Sequence, residues 1–222
     1  MFSSDLGKKL DKYHLLKHPC YQIYWNEGKL NREIIKDYAE QYYQHVKAFP
    51  RYISATHSIC EDIEKRRILL ENLQDEENKD GDHPKLWKNF AKALGADEVK
   101  IESTKLDWFT KDMIDNFFVQ ARKSYAEGLA SLYTYERQIP EIAETKIQGL
   151  KKFYGVNSKE GLEFFEAHKS ADVIHRAECE KLLDSLSTDE QKKAENASLL
   201  TARYLWNFLS GMVSKHKLQV AA

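Results

Sequence analysis

Apolar positions along the chain recur with the period of a helix almost throughout, and short breaks separate long amphipathic stretches. Leu6, Leu10 and Tyr13, at i, i+4 and i+7, predict a first helix capped by Ser4 or Asp5 and ended by Pro19. A short turn at 21–25 closes on Gly28. Asn31 then caps a long second helix bearing Ile34, Ile35, Tyr38, Tyr42 and His45, and Pro50 is predicted to kink it because proline cannot donate the interior hydrogen bond. Further helices are predicted at 62–77 and at 84–94, with a loop at 79–82 between them and Gly95 as a stop. Others follow at 106–122, 124–139, 141–154 (with Pro140 as a kink), 158–186 and 188–215, the last opened by a capping box at Thr188–Gln191. Residues 219–222 are expected to fray, and period-two alternation is absent. The pattern predicts a single all-α domain over 1–222, a bundle of seven or eight helices without repeats or linkers.

Composition narrows the function classes. The chain has 222 residues, 42% hydrophobic and 31% charged, with a formal net charge of −1. That length supports a sizeable core, and the balance offers no basic surface for nucleic acid. Four prolines and nine glycines suit long helices. No apolar run is long enough to span a membrane, and the N-terminal stretch lacks the basic and apolar regions of a secretory signal. The three cysteines, Cys20, Cys60 and Cys179, form no Cys-x-x-Cys and read as free thiols in a reducing cytoplasm.

The strongest chemical signal is His168-x-x-x-Asp172-x-x-His175. At 100° per residue, positions i+4 and i+7 return to within about 40° of i, so the three side chains share one helical stripe. Two imidazoles and a carboxylate are suitable donors for a first-row transition metal. Glu76 and His83 flank a glycine-containing loop, and Glu136 lies in Leu132-Tyr-Thr-Tyr-Glu136. With them the set reaches three carboxylates and three imidazoles, enough for two ions. Taken singly, a helical histidine is more often a surface or core residue, and Glu76 and Glu136 would pass as solvated helix charges. Spacing alone leaves open whether the three stretches meet.

Several longer motifs resemble a known family: Tyr42-Tyr-Gln-His45 with Phe49-Pro50, Asp75-Glu-Glu-Asn78 with His83, Leu86-Trp87, Leu132–Pro140, Lys146-Ile-Gln-Gly-Leu150 and the His168/Asp172/His175 triplet. From His18 to about Glu180 they look like the haem-oxygenase-like dimetal oxygenases. That superfamily includes TenA-type thiaminases, pyrroloquinoline-quinone synthase (PqqC) and the branch of chlamydial proteins associating with death domains. The resemblance implies a TenA/PqqC-like helical fold and two metal ions, iron or iron with manganese. It places their ligands at Glu76, His83, Glu136, His168, Asp172 and His175. It also implies O2 and an external reductant as co-substrates, and formation of p-aminobenzoate, a folate precursor, from the enzyme's own chain. Tyr21 then corresponds to the tyrosine that supplies the ring, Lys146 to the lysine that supplies nitrogen, and Tyr135 to a tyrosine of radical transfer. Family analogy alone adds a homodimer and host death-domain proteins as partners. Two departures from the family pattern fall near the ring donor. Cys20 stands where phenylalanine is usual, and the family tryptophan lies one residue closer than Trp25, so Tyr24 is the alternative donor.

Other readings are a dimetal oxidase acting on an external small molecule, a metal-free PqqC-like cofactor oxidase, and a non-enzymatic death-domain binder. Thiaminase chemistry needs a cysteine nucleophile that 128–140 lacks. His45 and His57 are expected to be core or supporting residues. Lys146 is expected in the same cavity as the ligands, aimed there by the kink at Pro140. Tyr21 is expected in a proline-started turn, from which its ring can enter a cavity between helices.

Overall fold

The computed structural model describes residues 1–219; within them, the side chains of 170–172 are outside the description. The all-α class is as predicted, and the described residues contain no strand. Eight helices have 11 residues or more: α2 (Arg32–Ser58), α3 (Ile63–Glu76), α4 (His83–Ala93), α6 (Trp108–Lys123), α7 (Tyr125–Glu136), α8 (Ile139–Phe153), α9 (Lys159–Asp184) and α10 (Thr188–Lys215). Two short helices, α1 (Phe2–Leu10) and α5 (Glu98–Ser103), bring the described total to ten. The periodicity passes over α5 because its six residues bury only Ile101.

Most helix starts carry a side-chain cap that satisfies an otherwise orphaned N–H. Asn31 accepts from Ile34 N (2.9 Å), Asp82 from Lys85 N (2.8 Å), and Asp62 from Glu64 N and Lys65 N (2.9 and 3.1 Å). The capping box of α10 lies one residue earlier than expected: Ser187 and Glu190 form it, and Thr188 is already helical. Pro50 lies inside α2, which runs unbroken past it. Pro140 does more than kink a helix. Arg137 and Gln138 separate α7 from α8, and Pro140 sits in the first turn of α8, where its missing N–H costs no helical bond.

The core is organised around α7, where every residue from Ala126 to Glu136 is buried. Helices α2, α6, α9 and α10 pack around it, with α8 against α9 and α4 bridging α2 and α9. The chain from 20 to 25 is a π-helical turn, Cys20–Trp25, followed by Gly28 at φ +64°, a left-handed conformation that glycine adopts without steric penalty. The opposite end of the chain reaches this turn. After α10, Leu218 N donates to Val213 O (3.0 Å), and the Tyr24 hydroxyl donates to the Gln219 carbonyl.

Candidate metal centre and lysine chamber

The predicted ligands come from four helices, and three of these ligands meet closely. Glu76 ends α3, His83 begins α4 beyond the loop, Glu136 ends α7, and His168 and His175 lie on α9. All five are buried, none more than 5% exposed. Donor atoms of Glu76, His83 and His168 lie within 4.8 Å of one another. The His83 and His168 rings are 4.2 Å apart, and His83 Nδ1 is 2.7 Å from Glu76 Oε2. His168 Nδ1 donates to the Phe164 carbonyl at 2.7 Å, which makes Nε2 the lone-pair nitrogen and fixes the ring, as second-shell contacts do for ligating histidines. Burial pushes the Glu76 carboxyl up, but His83, then His168 and His175, pull it down, and the balance leaves it below the usual carboxylate range. Asp172 falls outside the described residues.

Three side chains around these ligands were not singled out from sequence. Asn72 Nδ2 donates to Glu136 Oε1 (2.7 Å), Cys179 Sγ lies 3.5 Å from Glu136 Oε2, and His175 Nε2 is 3.0 Å from Asp75 Oδ2. Each had a signal in register: Asn72 is one turn before Glu76, Cys179 extends the 168/172/175 stripe by four residues, and Asp75 adjoins a ligand. A buried imidazole–carboxylate cluster whose members are oriented by further polar partners is the donor chemistry that a nitrogen- and oxygen-loving transition ion requires. The residues present therefore fit a metal.

Lys146 is far from surface-like. It is 4% exposed, and its Nζ lies 3.9 Å from the Tyr38 ring centre, 5.4 Å from Trp25, 5.7 Å from Phe165 and 5.8 Å from Trp87. It lines two small cavities. One, of about 30 Å3, also touches Cys20, Tyr21, Trp25, Tyr38 and Leu218. The other, of about 20 Å3, reaches Tyr42, Tyr135 and His168. Lys146 and Tyr38 thus form the wall between a chamber holding Tyr21 and a space that reaches the candidate ligand His168. No carboxylate lines either cavity among the described residues. Burial pulls the Lys146 ammonium down to about 7, slightly opposed by Cys20, and the same burial raises the Cys20 thiol to about 11 and the Tyr21 phenol well above its usual value.

His18 sets the start of the π-turn. Its Nδ1 accepts from Cys20 N at 3.0 Å while Nε2 lies 3.0 Å from Ser210 Oγ, and burial keeps the ring neutral by pulling it down to about 4. The turn points Tyr21 inward, at 4% exposure, whereas Tyr24 is half-buried, bonds to the Gln219 carbonyl and does not line the lysine chamber. Tyr135 hydrogen-bonds Tyr42, which stacks on Tyr38 with ring centres 5.3 Å apart. His45 is a core residue ringed by Tyr42, Tyr52, Phe117 and Tyr135, pulled down to about 3 by burial. No helix among the described residues is long and apolar enough to cross a membrane.

Comparison with known proteins gives the following similarities. The family model for iron-containing redox enzymes of haem-oxygenase type matches residues 36–206. The chain is 39% identical to the 4-aminobenzoate synthase of Chlamydia muridarum, over 96% of this chain and 90% of that protein. It is 37% identical to the 4-aminobenzoate synthase of Nitrosomonas europaea, over 95% of this chain and 90% of that one. A TenA homologue from Pseudomonas syringae superposes with a TM-score of 0.82 at 17% identity, covering 96% of this chain and 93% of the other.

Proposed function

The chain belongs to the haem-oxygenase-like family of iron-containing redox enzymes, and from that premise we propose that it forms p-aminobenzoate oxidatively from its own Tyr21 and Lys146. Glu76, His83, Glu136, His168, Asp172 and His175 are the residues that would hold two ions, iron or iron with manganese. Such a centre, when loaded, supplies the oxidising power drawn from O2 and an external reductant. The rest is the work of the chain's own side chains.

One observation carries the reading: a buried lysine, held among aromatic rings, forms the wall between the Tyr21 chamber and the space that reaches His168. An amine whose ammonium is pulled down to about 7 is substantially uncharged at neutral pH and can act as a nitrogen nucleophile. The cavities on either side, about 30 and 20 Å3, are far below the ~150 Å3 that houses a benzene-sized guest. That favours a resident ring over an external aromatic substrate. Tyr135, next to Glu136 in sequence and bonded to Tyr42, is suitably placed to pass an electron between the metal side and the tyrosines of α2.

The test is mass spectrometry of intact protein and peptides after exposure to iron, reductant and O2. Wild-type chains should lose the phenolic side chain at Tyr21 and the ε-nitrogen at Lys146, and yield at most one p-aminobenzoate each, with its nitrogen carrying any 15N placed in lysine. Tyr21→Phe should make none while binding metal normally. Wild-type yield from Tyr21→Phe would rule out Tyr21 as the ring source.

A further inference from the structure

The motif Lys146-Ile-Gln-Gly-Leu150 contains a glycine inside α8, where glycine weakens a helix relative to alanine. The packing supplies a reason. A Cβ on Gly149 would lie 2.6 Å from Trp25 Nε1 and 2.8 Å from Trp25 Cε2. The indole is a rigid fused ring and cannot fold away, so the missing Cβ is a notch in α8 that the indole fills. Its Nε1–H donates to the carbonyl of Thr145, the residue before Lys146, at 3.1 Å. Tyr154, beyond the last turn of α8, packs on the other side with ring centres 5.3 Å apart. Trp25 is therefore held at two points on the turn of α8 that carries Lys146, and at a third by Tyr154 just past the helix end.

The same tryptophan closes the π-turn that carries Tyr21. The two rings lie 6.3 Å apart, and both line the chamber with Lys146. A π-turn lacks the regular i→i+4 ladder, so its own backbone holds it less firmly than an α-helix would. The groups facing the amine are Cys20 and Tyr21 from this turn, Tyr38 from α2, Trp87 from α4 and Phe165 from α9. Trp25, which also faces the amine at 5.4 Å, hydrogen-bonds the backbone carbonyl beside Lys146 and so fastens this turn to α8.

We propose that Trp25, seated in the Gly149 notch, is a positioning residue that fixes the Tyr21 ring relative to the Lys146 nitrogen and seals water from the amine. This rests on the reading of Tyr21 and Lys146 as ring and nitrogen donors. The notch explains why a glycine stands three residues after the lysine. The indole N–H on Thr145 adds a directional bond that a phenyl ring could not make.

The experiment compares wild type, Gly149→Ala, Trp25→Phe and the double variant. In metal-free protein, the Lys146 amine is titrated by NMR of isotope-labelled lysine. In iron-loaded protein, p-aminobenzoate per chain and metal content are measured. Gly149→Ala should displace the indole, raise the lysine midpoint by at least one pH unit and cut yield tenfold or more, with metal content at the wild-type level. Trp25→Phe in the Gly149→Ala background relieves the clash and should recover yield several-fold over Gly149→Ala alone. An unmoved midpoint in folded Gly149→Ala overturns the positioning role without reference to turnover, as does a double variant no better than Gly149→Ala. If wild-type chains make no p-aminobenzoate but the Gly149→Ala midpoint moves, the donor assignment fails while the seating of Trp25 against Lys146 stands.

Discussion

The two spaces that meet at Lys146 are built on opposite principles. On the α3/α4/α7/α9 side, carboxylates and imidazoles are crowded together and partly neutralise one another, an arrangement that a metal completes. On the π-turn side, a lysine, a thiol and phenols are buried among hydrocarbon and indole, with no carboxylate among the described residues lining the space. The first keeps charge and balances it; the second suppresses charge by desolvation. Redox chemistry needs the former, and nucleophilic nitrogen needs the latter. A single wall, made of Tyr38 and Lys146, lets both environments exist within one bundle.

Substitutions on each side should have separable effects. His168→Ala or Glu76→Gln is expected to remove at least one metal equivalent by elemental analysis and abolish product, whereas Tyr21→Phe abolishes product at full metal content. If His168→Ala kept its metal, the polar side would not be the metal centre. Lys146→Met is expected to abolish product yet raise the melting temperature, because it replaces an amine whose charged form is disfavoured by burial with a thioether chain that has no charge to desolvate. A lower melting temperature would mean that the amine is better solvated than its burial implies.

Acidity sharpens the contrast. With the Lys146 ammonium pulled down from 10.5 to about 7, the neutral amine grows about tenfold between pH 6 and pH 8. Yield per chain in a single turnover should rise accordingly over that interval. Between about 7 and 10.5 the unfolded chain holds a proton on this lysine that the folded chain lacks, so stability should climb with pH there. Denaturant titrations at pH 7 and pH 9.5 would show the climb in wild type and lose Lys146's share of it in Lys146→Met. A smaller effect is expected from Asp75→Asn, which deprives His175 of one carboxylate partner and should weaken metal binding by about 10-fold. Ser187→Ala, at a residue that lines neither cavity, should cost about 1 kcal/mol of stability through its lost cap and leave metal content and yield unchanged.

Much of the polar side was legible in sequence because helices write their faces with a fixed period. His168 and His175 share a stripe, Cys179 continues it, and Glu76 and His83 flank a loop opened by residues that favour turns. The lysine chamber was harder to read. Lys146 looks like any surface lysine in α8, because its burial comes from Trp25, Tyr38, Trp87 and Phe165, on four other segments. The π-turn has no hydrophobic signature at six residues, so 21–25 read only as a turn. The capping box was displaced by one position because serine and threonine adjoin at 187–188 and either can cap.

Tyr21 is 4% exposed and packed against Trp25. Under the proposed chemistry its ring leaves the protein. Deleting a buried aromatic ring typically costs about 3–5 kcal/mol, a large share of the 5–15 kcal/mol or so that holds an ordinary domain folded. A spent molecule would then open more often than a fresh one and expose cleavable chain more often to proteases. The protein would carry its own expiry mark, written by its single use, and cells would need no separate tag to tell used copies from new. Pulse proteolysis of a population before and after reaction should show the spent fraction digested first.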